Sequence, residues 1–202
     1  KGAAYRCFCS PARLEELRKS QAASGEGVIE GYDRLCRGLD PAEAARRAVN
    51  GEAHVVRFAM PLSGATVFRD ELRGEISYPD AQQDDFVLIK SDGFPTYHLA
   101  NVVDDHAMAV THVMRGEEWI PSTPKHVRLY EAFGWTPPAF VHLSVILAPD
   151  GKKLSKRHGA TSVEEYRARG FLPEALGNFL ALLGWSPGDD RDRARRRLER
   201  AA

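Results

Sequence analysis

Basic side chains crowd one short stretch of this chain, Lys152-Lys153-Leu154-Ser155-Lys156-Arg157. The stretch follows an apolar run, Phe140 to Leu147, and a Pro149-Asp150-Gly151 turn. Cations on a loop just past a strand suit the holding of a polyphosphate while negative charge moves onto it. The plain alternative is a solvated basic loop. A second group is built on sulfur: Cys7, Cys9 and Cys36, with Tyr32 four residues before the last. Zinc in a closed structural site takes four ligands, thiolates first among them. Three cysteines leave one place open, and Tyr32, His54 and Asp33 compete for it. Zinc acidifies a bound phenol as it does bound water, so tyrosine is a workable ligand. The alternative is three reduced, unligated thiols. Arg115 closes the segment 111–115 and offers a fork that grips a carboxylate through two parallel bonds. Its plain alternative is a surface ion pair with Glu117 or Glu118, worth little. Tyr97 and Asn101 are four apart, so on a helix they share a face and reach one ligand.

These residues need elements to hold them. Ser10-Pro11 opens a helix that runs to Gly25–Gly27, and Asp40-Pro41-Ala42-Glu43 opens another that stops at Asn50-Gly51. Residues 53–60, 74–78 and 86–90 read as strands. Up to about residue 85 the elements are short and mixed, which predicts a small α+β module. Beyond it the pattern is strand 86–90, helix 97–108, strand 111–115, helix 124–133 and strand 140–147. Such alternation predicts βαβ units on a parallel sheet. Helix starts at the ends of parallel strands are where open α/β sheets bind ligands, and Asp92 to Asn101 falls at such a start. Ser162-Val163-Glu164-Glu165 opens a further helix, and Pro173 to Leu183 forms an apolar one. The tail from Asp189 carries six arginines in its last dozen residues and reads as a charged helix or as disorder.

The 202 residues suffice for one sizeable core or two small ones. Lys plus Arg and Asp plus Glu are 28 each, so nucleic-acid binding has to rest on a local patch rather than a global field. No run of about twenty apolar residues predicts a membrane span. The first residues lack a signal-peptide pattern and lead straight into what reads as the middle of a domain. Three cysteines without a secretion signal point to an intracellular, cytoplasmic setting rather than a disulfide framework. A P-loop ATPase is not expected, because Gly151-Lys152-Lys153 lacks the upstream glycine and the following hydroxyl at the required spacing.

Pro95-Thr96-Tyr97-His98-Leu99-Ala100-Asn101-Val102-Val103-Asp104-Asp105-His106 is followed by Arg115-Gly116-Glu117-Glu118-Trp119, then Ser122-Thr123-Pro124-Lys125-His126, then Lys153-Leu154-Ser155-Lys156-Arg157. In that order and spacing they resemble the glutamyl-tRNA synthetases, class I enzymes, in their bacterial and organellar form; the last is similar to the second ATP signature. The resemblance covers Tyr5 to about Gly188 and leaves out the arginine-rich tail. It implies an α/β fold: the C-terminal half of a Rossmann-like catalytic domain preceded by an insertion that binds the tRNA acceptor stem. The domains it implies are 1–85 for the insertion with its zinc knuckle, 86–160 for the half-domain ending in the basic loop, and 161–202 for the start of a helical stem-contact region. It implies that Tyr97, Asn101 and Arg115 line a glutamate pocket, that Glu118 approaches the ATP ribose or adenine, and that Lys153, Ser155, Lys156 and Arg157 form a loop over the triphosphate. His98 and His126 are expected to pack. The implied cofactors are ATP with Mg2+ and a structural zinc on Cys7, Cys9, Cys36 and, by preference, Tyr32. Relatives with a histidine two residues after the third cysteine differ here, where Gly38 stands. The implied partners are L-glutamate, ATP and tRNA(Glu), for a monomer away from membranes. The first ATP signature and an anticodon-binding domain are not found in the sequence, so the chain reads as an internal fragment expected to be inactive alone. Rival readings are a glutaminyl or non-discriminating glutamyl enzyme, a paralogue that places glutamate on a modified tRNA base, and a non-catalytic RNA-binding module.

Overall fold

A computed structural model describes residues 2–23, 31–147, 150–154 and 162–182. In chain order the elements are β1 (Ala4–Cys7), α1 (Pro11–Ala23), α2 (Pro41–Val49), β2 (Val55–Phe58), β3 (Ala65–Asp70), β4 (Gly74–Pro79), β5 (Val87–Ile89), α3 (Tyr97–Ala107), β6 (His112–Gly116), α4 (Thr123–Phe133), β7 (Ala139–Leu143), α5 (Val163–Ala168) and α6 (Pro173–Leu182). They fall into two compact units, Lys1–Val113 with Ile120–Val141, and Met114–Trp119 with His142–Ala202.

Local chemistry sets the helix ends. Asp40 accepts the Glu43 backbone N–H at 3.0 Å, and Pro41 occupies the first turn of α2. Gly134 ends α4 at φ +78°, a left-handed position that costs glycine nothing. Ser162 and Glu165 exchange side-chain and backbone bonds at the start of α5, a complete capping box.

Two sheets form, ordered β1-β2-β5 and β4-β3-β7-β6. The first is antiparallel throughout. The strand 86–90, expected to begin a parallel series, instead pairs with β2: Phe58 N–H donates to Phe86 C=O at 2.9 Å. Apolar faces drive that pairing, since Phe58, Met60, Phe86 and Leu88 form one buried cluster with Val102 of α3 and Leu129 and Tyr130 of α4. The parallel register appears further along, between β3 and β7, at Asp70 and Phe140. Strands β1 and β3 were not anticipated. β3 buries Thr66, Phe68 and Asp70 in strict alternation, but two of those three are polar.

Buried charge ties distant segments together. Asp80 accepts from Thr66 Oγ1 at 2.5 Å and from Arg128 of α4 through Nη2 at 2.5 Å. Asp85 is fully buried and accepts from Tyr5 Oη at 2.6 Å, Arg37 Nη1 at 3.1 Å, Arg34 Nε at 3.3 Å and the Met60 backbone N–H at 3.1 Å. Burial, followed by the bond to Asp85, pushes the Tyr5 phenol far above its ordinary pKa. Arg34 holds φ +61°, a strained value for a side chain with a Cβ. Its guanidinium anchors that kink by donating to Gln83 C=O at 2.6 Å as well as to Asp85.

Candidate functional site

The first unit gathers its sulfur at one point. β1 delivers Cys7 and the residue after next, Cys9; a short 3-10 turn, Leu35–Gly38, delivers Cys36. The three sulfurs lie within 4.8 Å of one another, with Cys9 and Cys36 3.6 Å apart. Tyr32 Oη lies 3.3 Å from Cys7 Sγ and 3.5 Å from Cys9 Sγ, and it accepts the Cys36 backbone N–H at 2.8 Å. Zinc bound at about 2.3 Å to sulfur requires tetrahedral ligand atoms roughly 3.5–3.8 Å apart. The Cys9–Cys36 separation and the two contacts of Tyr32 Oη match or lie close to that spacing, so the donor set suits that ion. The other two residues considered for the fourth place are engaged elsewhere. Asp33 is gripped by both terminal nitrogens of Arg13, and His54 Nδ1 faces the Glu52 carbonyl at 2.9 Å.

Two arginines flank this cluster, and the sequence did not single out either. Arg13 Nη1 donates to Cys9 Sγ at 3.4 Å. Arg57 is only 6% exposed, places its Cζ 3.8 Å from the Tyr32 ring centroid and donates to the Asp85 carbonyl at 2.7 Å, while its Nε has no partner. A buried guanidinium over a phenol ring balances negative charge in the cluster. Burial pushes the Cys9 thiol up to about 11. Burial pushes Cys7 the same way, but its bonds to Tyr32 and neighbours win and its pKa falls below the usual thiol value.

At the start of α3, the hydroxyl of Thr96 donates to Val87 C=O at 2.6 Å and its N–H to Leu88 C=O at 2.8 Å, which fixes the helix to β5. Tyr97 is exposed and Asn101 is half-buried one turn on. His98 Nδ1 and His126 Nε2 are 3.0 Å apart, with His126 buried and His98 half-buried.

The second unit holds Arg115, Glu118 and Lys153. Arg115 Nε donates to His142 Nε2 at 3.0 Å, and Cζ lies 5.8 Å from the Trp119 ring centroid. Glu118 forms an ion pair with Lys153, whose ammonium holds the Glu118 carboxyl below the usual range. A Cβ at Gly116 would meet the Glu118 carboxylate, the end of a long side chain that can move aside. Lys153 stands on a two-stranded stem: Leu147 bridges Lys153, and Leu154 N–H donates to Ile146 C=O at 2.7 Å. Glu117 joins the same region by accepting the Val145 N–H at 3.3 Å. Ser155, Lys156 and Arg157 lie outside the described residues, as does the arginine-rich tail. His142 is a neighbour of Arg115 that the sequence reading did not single out, since nothing in its own segment marks it.

A family model described as the catalytic domain of class I tRNA synthetases (E and Q) matches residues 1–198. The match runs past Gly188 into the tail that the motif comparison had set apart. Among curated proteins, a glutamate–tRNA ligase of Dehalococcoides mccartyi is 56% identical over 189 residues, which is 94% of this chain and 37% of that protein. One from Treponema pallidum is 55% identical over 192 residues, 95% of this chain and 35% of its own length. The crystal structure of a glutamate tRNA ligase from Elizabethkingia meningosepticum, in complex with its amino acid, superposes with a TM-score of 0.80 at 41% identity, covering 95% of this chain and 43% of that one. The chain thus spans little more than a third of the length of the curated relatives it matches.

Proposed function

The chain belongs to the catalytic-domain family of the class I tRNA synthetases for E and Q, and from that premise we propose that it is part of an ATP-dependent ligase that joins L-glutamate to tRNA(Glu). The α-carboxylate of glutamate attacks the α-phosphorus of ATP and releases pyrophosphate. The terminal ribose hydroxyl of the tRNA then attacks the glutamyl-adenylate and releases AMP. Neither step needs a protein nucleophile, so the protein positions reactants and stabilises charge. Tyr97, Asn101 and Arg115 bind glutamate, Arg115 by pairing with a carboxylate. Glu118 meets the nucleoside of ATP, and Lys153, Ser155, Lys156 and Arg157 attend its phosphates. Mg2+ travels with the triphosphate, since the sole cluster of three or more metal-ligating residues among the described ones is the sulfur knuckle.

The observation that supports this most is the Glu118–Lys153 ion pair, which brings the segment after β6 against the base of the basic loop. A carboxylate resting on Lys153 occupies it with negative charge, as a phosphate does. The reading places residues 1–85 on the tRNA acceptor stem, 86–160 in the nucleotide-binding half-domain and 161–202 at the start of a helical region. It describes a monomer working in the cytoplasm or an organelle matrix; among the described residues no helix is long and apolar enough to cross a membrane. The test is glutamate-dependent ATP–pyrophosphate exchange by the full-length protein with tRNA present, followed by charging of tRNA(Glu) and tRNA(Gln) separately. Exchange with glutamine and not glutamate overturns the substrate; charging of both tRNAs makes the enzyme non-discriminating.

Cys7, Cys9, Cys36 and Tyr32 hold a structural zinc in this reading, which closes β1 onto the 3-10 turn. Purified protein should carry one zinc per chain. Tyr32→Phe keeps the three thiols and should weaken zinc at least about tenfold in a chelator competition, an effect of the size that altered ligation usually brings. Protein free of metal after preparation in zinc-containing medium, or equal affinity in the variant, rejects the site as drawn.

A further inference from the structure

We propose that His142 is a positioning residue for Arg115, holding its guanidinium by Nε so that the carboxylate of the amino acid meets a fork of fixed direction. The inference rests on the assignment of Arg115 to the glutamate pocket. It starts from one bond, Arg115 Nε to His142 Nε2, at 3.0 Å. A guanidinium has no lone pair to offer, so Arg115 is the donor and the imidazole nitrogen the acceptor. His142 is therefore neutral here with its proton on Nδ1, the tautomer set by the bond at the other nitrogen.

Burial makes the bond stiff. His142 is 1% exposed on β7, a strand flanked in its sheet by β3 and β6, and Arg115 lies on β6. Arginine has much rotamer entropy to lose, and a half-buried arginine at a strand end would otherwise spread over several rotamers. Engaging Nε fixes the plane of the guanidinium, and the Trp119 ring at 5.8 Å stands against its face. The ordering is thus done before the amino acid arrives, which is how preorganisation raises affinity. A phenylalanine or leucine would fill the space on β7 as well as histidine does. Neither would accept a bond, so the choice of imidazole at a buried strand position has a purpose that packing does not explain.

The experiment compares His142→Gln and His142→Met in the full-length protein, with Arg115→Ala as a control. A glutamine side-chain oxygen falls near the place of Nε2 and restores an acceptor; methionine fills similar volume without a comparable one. The expected result is a KM for glutamate raised about tenfold in His142→Met and within about threefold of the parent in His142→Gln. The KM for ATP should stay constant in both, because the bond acts on amino-acid binding. A merely structural role would move both KM values and leave the two variants alike. If the methionine variant does not fold, His142→Asn replaces it, since asparagine is too short to reach Arg115. Equal glutamate KM values in the acceptor and non-acceptor variants overturn the role of His142 alone. An Arg115→Ala enzyme with unchanged glutamate KM overturns the pocket assignment as well, so the two failures are told apart.

Discussion

Replacing Asp85 with alanine is expected to destabilise the first unit by about 3–5 kcal/mol, the cost typical of breaking a buried ion pair from one side. The carboxylate is wholly buried, and its four partners come from three segments: Tyr5 on β1, Arg34 and Arg37 around the 3-10 turn, and the Met60 backbone beyond β2. The arginines are about a quarter exposed and can turn to water, which places the loss toward the lower end. The Met60 N–H and the Tyr5 hydroxyl lose an acceptor in a buried setting, where an unmet donor costs about 1–3 kcal/mol. Asp85→Asn tests the charge separately, because its amide NH2 would face guanidinium donors. A further consequence distinguishes this hub from an ordinary core contact. Arg34 and Arg37 bracket Cys36, so the variant should also weaken zinc at the knuckle. Urea denaturation of both variants, with zinc affinity measured alongside, checks the two effects together. A loss below about 1 kcal/mol in both variants would mean that the network is ornamental to stability.

The local signals were legible in the sequence and the long-range ones were not. Caps at Asp40 and Ser162 and the stop at Gly134 act within a few residues, so the helix ends could be read directly. The i, i+4 spacing of Tyr32 and Cys36 was visible in the same way, and it brings the phenol to the Cys36 N–H. β3 was hidden because its inward face is Thr66, Phe68 and Asp70, which no hydrophobic alternation reveals. Those polar groups are acceptable inside because partners arrive from far along the chain: Arg128, 62 residues from Thr66, donates to it at 2.8 Å. His142 and Arg57 were missed for the same reason. Each matters through a neighbour supplied by another strand or loop, 27 residues away for His142 and 25 for Arg57 and Tyr32. The residues proposed for glutamate and ATP could be named because they sit in contiguous motifs, which lie within the residues 1–198 that the family model matches.

Lys156→Ala is expected to cost the largest factor in rate, about 10²–10³ in the turnover of glutamate-dependent pyrophosphate exchange, as for the loss of one preorganised charge partner of a transition state. The argument begins with Lys153, whose ammonium is already matched by Glu118 and which stands on the paired stem of the loop. A lysine so matched has to give up one anion to take another, and that exchange limits what it adds. Lys156 comes three residues later in the same basic run, and the proposed reaction assigns it to the charge that gathers on the leaving pyrophosphate. An ammonium that meets that charge only as it develops lowers the barrier without tightening the ground state. The substitution should therefore lower kcat while the KM for glutamate stays within about twofold and that for ATP changes modestly. Lys156→Arg keeps the charge but replaces a compact ammonium by a planar fork, so it should recover part of the rate. Lys153→Ala should cost less than Lys156→Ala. A Lys156→Ala enzyme that loses ATP affinity and keeps its kcat would assign the residue to simple binding and give the transition-state role to another cation of the run.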